Sequence, residues 1–186
     1  MLGFLIREIS FVILKLLRLY LIMNKGTMKN TNRDIKKIFI EDQDDRRNMK
    51  FDRKNLQLLK RKDQKRKERL SKLLKSGARF IPKDFYMVAM IYQHGSTLSD
   101  YKKAVHFSHQ SMKLGFEKAK WLYAAAQDRL LMKQGRKQKY GTQYQKRGNI
   151  WFLYPVSKSI GDKEREKYNV PTLKKALLKL SELNKS

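Results

Sequence analysis

The chain has 186 residues, of which 41% are hydrophobic, enough for one sizeable core but not for two full domains. Its net charge of +27 indicates either a polyanion partner, such as nucleic acid or an anionic membrane, or a solvated lysine-rich surface. Cysteine is absent, which excludes disulfides and thiolate metal sites, and the three histidines do not form a zinc motif, so we expect no metal and no cofactor.

Residues 1–30 form an N-terminal segment whose apolar part spans residues 2–22. Four charged residues interrupt it, so its longest uncharged run is far below the ~18 residues that a membrane-spanning helix needs. Those residues are Arg7, Glu8, Lys15 and Arg18. They share one sector of a helical wheel, which predicts an amphipathic helix. Three roles remain open: contact with a membrane interface, which is favoured, a leader-like anchor, or translated sequence before a later start codon. We expect a cytoplasmic or peripherally membrane-associated protein.

Residues 31–186 are predicted to form a single all-α domain, a compact helical bundle. A first helix follows the cap Thr31-Asn32 and runs to about Asn48. A second helix spans Arg53 to Lys75 and is closed by Gly77. Its three-four seam of leucines includes Leu56.

Both helices carry an acid and a base on their apolar faces. At about 100 degrees per residue, Asp42 and Arg46 fall on the apolar face of the first helix. Asp63 and Arg66 occupy two seam positions of the second. A buried charge without a partner is costly, so these four side chains are expected either to form a structural salt-bridge network or to meet a ligand. The many lysines around the second seam lack aromatic stacking partners, which favours a solvated face over a single-strand binding platform.

A helical hairpin is predicted between residues 82 and 119. Its first helix starts at Pro82 and ends near His94, and the second begins near Ser99 and stops at Gly115. The hairpin carries Ala89, Tyr92 and Gly95, followed by Lys103-Ala104, Ser111, Gly115 and Ala119. Their spacing is similar to that of one Sel1-like unit, a relative of the tetratricopeptide hairpin. A single unit disfavours an extended solenoid, which needs about three repeats.

The C-terminal third combines a third helix, a polar loop, an extended segment and a final helix. The helix from Glu117 to Gln134 is apolar nearly all round, so we expect it to be central, with Asp128 and Arg129 partly enclosed. The segment 149–156 is expected to be a short strand or an extended lid. A last helix is predicted from Leu173 to about Leu183, with Leu177 packed on the bundle.

Polar motifs are spread along residues 34–180: Glu41-Asp42-Gln43 with Arg46, Asp63 with Arg66, Gln93-His94-Gly95, Asp128-Arg129, Gln138, and Tyr140-Gly141-Thr142-Gln143. Together with Arg165, Val170-Pro171 and Leu173 before the last helix, they resemble the family called domain of unknown function 6624. The resemblance implies a mostly helical fold and a shared polar site, without an established activity. The N-terminal segment and the strong basicity lie outside it.

These motif residues define the candidate site. His94 is the expected general acid or base, and Asp128 is expected to orient it. The predicted ligand-binding residues are Asp42, Gln43, Arg46, Asp63, Arg66, Gln93, Arg129, Gln138, Tyr140, Thr142 and Gln143. This set suits binding or hydrolysis of an anionic small molecule. The alternatives are a non-enzymatic interaction module of the Sel1-like hairpin type and a basic binder of nucleic acid or a membrane surface.

Overall fold

The computed structural model describes residues 30–48 and 52–185. The prediction for residues 2–22 lies outside the described residues. Within them are seven helices and one two-stranded hairpin, which confirms the all-α prediction. The helices are α1 (Arg33–Asn48), α2 (Arg53–Lys75), α3 (Pro82–Gln93), α4 (Leu98–Lys113), α5 (Ala119–Lys133), α6 (Asp162–Lys167) and α7 (Leu173–Leu183). The strands are β1 (Tyr144–Arg147) and β2 (Ile150–Leu153), paired antiparallel. No helix in the described part of the chain is long and apolar enough to cross a membrane.

The helix starts follow from local capping. The Asn32 side chain accepts hydrogen bonds from the amides of Asp34 and Ile35, at 3.0 and 3.1 Å, and so caps α1. The fully buried carboxylate of Asp84 accepts from the amides of Asn32 (3.0 Å) and Ile81 (2.9 Å). One buried acid therefore joins the N-terminal ends of α1 and α3.

The main core lies where α1 to α5 meet. Its completely buried members include Ile35 of α1, Leu70 of α2, Val88 of α3, Ala104 of α4 and Ala126 of α5. Small residues on α4 and α5 permit close approach of the helices. A second, smaller core under the C-terminal part contains Ala124, Tyr140 and Val170.

Three expectations about packing are wrong. Leu56, in the first turn of α2, is 42% exposed, whereas Leu59 and Leu70 of the same seam are buried. Leu177 of α7 is 51% exposed, and Ala176 is the residue that is buried there. Trp121 is 43% exposed, so α5 is not buried on every face.

The C-terminal hairpin packs against the last helix. The Asn184 side chain accepts from the Trp151 amide at 2.7 Å and donates to the Trp151 carbonyl at 3.0 Å. The Tyr144 hydroxyl donates to the Ala176 carbonyl at 3.0 Å. The extended segment is therefore a strand fixed to α7, which leaves no lid of the predicted kind.

Candidate functional site

The predicted charged residues of α1, α2 and α3 converge in one group, which we call the ionic cluster. Its members are Asp42, Gln43, Asp45 and Arg46 of α1, Lys62, Asp63 and Arg66 of α2, and His94 after α3. Asp42 is completely buried, and Asp63 and Arg66 are 8% and 3% exposed. The helical spacing thus correctly placed an acid and a base on the inner face of each helix.

Arg46 is the central cation of the ionic cluster. Its Nη1 lies 2.6 Å from Asp42 Oδ1, and its Nη2 lies 2.9 Å from Asp63 Oδ2. One guanidinium therefore bridges two helices through a fork of charge-assisted hydrogen bonds. Burial raises the pKa of Asp63, while the hydrogen bond from Arg46 opposes that shift.

Arg66 completes the ion pairing. Its Nη1 contacts Asp63 Oδ1 at 2.7 Å, and its Nη2 pairs with Asp45 and donates to the Glu41 carbonyl at 3.2 Å. Lys62 contacts the other oxygen of Asp45 at 2.7 Å. Burial lowers the pKa of Arg66, and the nearby acids oppose that shift. Asp45 was not predicted, although it follows Asp42 by three residues and so lies near the same helical face.

His94 is held by Asp42. The ring Nδ1 lies 3.0 Å from Asp42 Oδ2, which also accepts from the Gln43 amide at 2.7 Å. A carboxylate can only accept, so Nδ1 carries a hydrogen, and in the neutral form of the ring the lone pair is then on Nε2. The prediction that Asp128 orients His94 is therefore corrected: the acid at this histidine is Asp42.

Asp128 instead organises the loop after α5. Its fully buried carboxylate accepts from the amides of Lys139 (2.7 Å), Tyr140 (2.8 Å) and Thr142 (3.0 Å), and from the Thr142 hydroxyl at 2.8 Å. Gly141, at φ +80, allows the turn that points these donors inward. Asp128 is thus a structural acceptor with four donors, and it is fully buried where a partly enclosed acid was expected.

The remaining predicted loop residues join Asp128 in a second group, the loop cluster. It consists of Asp128, Gln138, Tyr140, Thr142, Gln143 and Arg165. The completely buried Gln138 donates to the carbonyls of Gln143 (3.1 Å) and Tyr154 (2.6 Å) and accepts from the Gln143 amide at 2.9 Å. Arg165 donates to the Tyr140 carbonyl at 3.1 Å. The side chains of Asp128, Gln138 and Arg165 bond mainly to backbone groups of the loop, so their role is to shape it.

Gln93 belongs to neither group. It is 5% exposed, and its amide donates to the Met90 thioether at 3.0 Å on the same helix. Gln93 was predicted to be a site residue because it precedes His94, whereas in the structure the Gln93 side-chain amide has a partner within α3.

Within residues 30–48 and 52–185, no three histidine or acidic side chains are arranged to hold a metal ion.

Arg129 is the one predicted site residue with an unmet hydrogen-bonding group. Its Nε is buried and has no hydrogen-bond partner, and no carboxylate among the described residues forms an ion pair with it. Burial lowers its pKa, as does the nearby Arg46, while Tyr101 acts in the opposite direction. Arg129 as a residue is half-buried.

No family model, curated protein or solved structure matches this chain. The resemblance to domain of unknown function 6624 and to a Sel1-like unit therefore stays a prediction.

Proposed function

We propose that this domain binds a small anion at Arg129 and that the Asp42–His94 pair supports its hydrolysis. The observation that carries the proposal is the buried Nε of Arg129, which has no partner. A buried donor without an acceptor is unfavourable, and an anionic ligand would supply the acceptor together with a counter-charge. Arg46, already paired with Asp42 and Asp63, lies close enough to reinforce the positive field.

The charge balance of the region indicates the class of anion. In the ionic cluster three carboxylates face three cations: Asp42, Asp45 and Asp63 against Arg46, Lys62 and Arg66. The charges of these six side chains cancel, and Arg129 adds a single positive charge. A ligand with one negative charge, such as a carboxylate or a phosphodiester, complements that excess through the planar guanidinium fork.

The chemistry follows from the orientation of His94. Because Asp42 holds a hydrogen on Nδ1, Nε2 of the neutral ring is the atom that accepts a proton from water, while the water oxygen attacks the scissile bond of the ligand and forms the new bond to it. The resulting imidazolium is stabilised by the Asp42 carboxylate, and its Nε2 proton is then available to a leaving group. Substituting His94→Gln is expected to abolish turnover while leaving anion binding at Arg129 in place.

A thermal-shift screen of carboxylates and phosphodiesters tests the binding. A ligand at a hundredfold its Kd stabilises the native state by about 2.7 kcal/mol. For a domain of this size that raises Tm by roughly 5–10 °C. The shift is expected in the wild type and absent in Arg129→Met. Lys133→Met, which removes an exposed charge one turn further along α5, keeps the shift. A ligand that stabilises Arg129→Met as well as the wild type would contradict the proposal.

A further inference from the structure

A separate groove lies between the C-terminal end of α2 and the first half of α4, over α3. Its volume is about 430 Å³, within the range of small-molecule sites. None of its nine lining residues belongs to the ionic cluster or the loop cluster. The groove is therefore independent of the proposed anion site.

The floor of the groove is apolar. It is formed by Leu74 of α2, Tyr92 of α3 and Phe107 of α4. The Tyr92 and Phe107 rings are nearly parallel, with centroids 5.9 Å apart, and Phe107 stacks in the same way on Phe85 at 6.2 Å. Lys103 Nζ lies over the Tyr92 ring, 5.0 Å from its centroid. The faces of the Tyr92 and Phe107 rings are thus covered by other side chains. A ligand in the groove can contact ring edges and aliphatic carbon, but no ring face is open for stacking with a nucleobase.

The rim of the groove is basic. Lys75 of α2 and Lys102, Lys103 and His106 of α4 line it, and none of the nine lining residues is acidic. None of these three lysines forms an ion pair with a carboxylate of the described residues. The hydroxyls of two lining serines, one of them Ser99, add hydrogen-bond donors. An apolar floor under a cationic rim complements an alkyl chain that ends in an anionic group.

The geometry points to a binding site for a single-chain alkyl anion, a fatty carboxylate or an alkyl phosphate. The chain lies on Leu74 and the ring edges, and the head group meets the ammonium groups of Lys102 and Lys103. Each methylene that the floor takes out of water tightens binding by about fourfold. Affinity therefore depends on both ends of the ligand.

Calorimetric titration of the full chain with monomeric alkyl phosphates tests the two-ended recognition. Octyl phosphate is expected to bind about fifteenfold more tightly than hexyl phosphate, because it has two more methylenes. Inorganic phosphate and adenosine monophosphate are expected to bind more weakly than either. Equal affinities for hexyl and octyl phosphate would overturn the proposal, as would tightest binding of adenosine monophosphate.

Charge-reversal variants place the binding in the groove. Lys102→Glu is expected to weaken octyl phosphate binding at least tenfold, since it sets a like charge beside the head group. Lys113→Glu makes the same change on α4 outside the groove and is expected to alter the affinity less than twofold. Ser99→Trp, at an exposed lining position, fills the groove and is expected to abolish binding without unfolding the chain. Equal effects of the two lysine variants, or full binding by Ser99→Trp, would refute the assignment.

Discussion

The same substitution at two neighbouring arginines is expected to change stability in opposite directions. Arg46→Met removes the cation that lies 2.6 Å from Asp42 and 2.9 Å from Asp63. Two buried carboxylates then lose a counter-charge, and breaking such a pair lowers the free energy of unfolding by about 3–5 kcal/mol. Arg129→Met removes a guanidinium whose buried Nε has no partner. An unsatisfied buried donor is unfavourable by about 1–3 kcal/mol, so this variant is expected to gain stability of that order.

Urea unfolding followed by circular dichroism measures both changes. The expected difference between the two variants is about 4–8 kcal/mol, far above the uncertainty of the extrapolation. In thermal unfolding, each kcal/mol corresponds to about 2–4 °C in Tm for a chain of this size. Methionine suits both positions because its flexible side chain fills irregular space.

The pH dependence provides an internal check on Arg46→Met. Burial raises the pKa of Asp63 even with Arg46 present. A group whose native pKa is raised favours the folded state at low pH, and that contribution is lost as pH rises through the native value. The difference in free energy of unfolding between the wild type and Arg46→Met is therefore expected to shrink as the pH falls and Asp63 takes up a proton. If Arg129→Met lowers the free energy of unfolding by 3 kcal/mol or more, as Arg46→Met is expected to do, then Arg129 has a partner in the native state and is not an unsatisfied donor.

Three further predictions follow from the geometry of other residues. Gly95→Ala places a Cβ 2.4 Å from Asp100 side-chain atoms and is expected to lower stability by about 1–3 kcal/mol in urea unfolding, whereas Gly161→Ala, in open space, stays near wild type. Asp128→Ala leaves three loop amides without an acceptor and is expected to lose at least about 3 kcal/mol, with Asp128→Asn losing less; equal losses would show that the carboxylate oxygens are not the acceptors. Burial raises the pKa of Asp100, but hydrogen bonds, that from Lys67 foremost, hold the net pKa below its ordinary value. The ionised carboxylate therefore stabilises the fold above its unfolded pKa and loses this effect as pH falls through the native value, so the deficit of Lys67→Met should vanish in acid; a deficit independent of pH would contradict this.

Helical periodicity was sufficient to predict α1 and α2 and their inward charges. Asp42, Asp63 and Arg66 occupy positions of the 3.6-residue repeat where apolar residues belong, so their burial was visible in the sequence. Caps supplied the bounds, since Asn32 and Gly77 lie where the helices begin and end.

The pairing of the buried groups was not predictable in the same way. Which acid meets His94 depends on where the end of α3 lies relative to α1, a tertiary relation that no local pattern encodes. Asp128 is a neighbour of Arg129 in sequence, but successive residues on a helix point in directions about 100 degrees apart, so one faces the loop and the other does not.

Two short elements left no clear signal. Strand β1, Tyr144–Arg147, has the sequence Tyr-Gln-Lys-Arg and lacks the alternation of a half-buried strand. It forms because β2 pairs with it and α7 covers β2. Helix α6 has six residues, too few to show a periodic pattern in the sequence. In the structure it places Arg165 so that its side chain donates to the Tyr140 carbonyl.

Nuclear magnetic resonance of the arginine Nε–H groups shows whether an anion binds at Arg129. The Arg129 Nε–H is expected to shift downfield and to exchange more slowly with water as a carboxylate or phosphodiester is added, because the ligand supplies the acceptor that the buried donor lacks. The Arg46 Nε–H, whose guanidinium is already paired, should move little. An Arg129 resonance that stays unchanged at saturating ligand, or a ligand that shifts only other arginines, would contradict anion binding at Arg129.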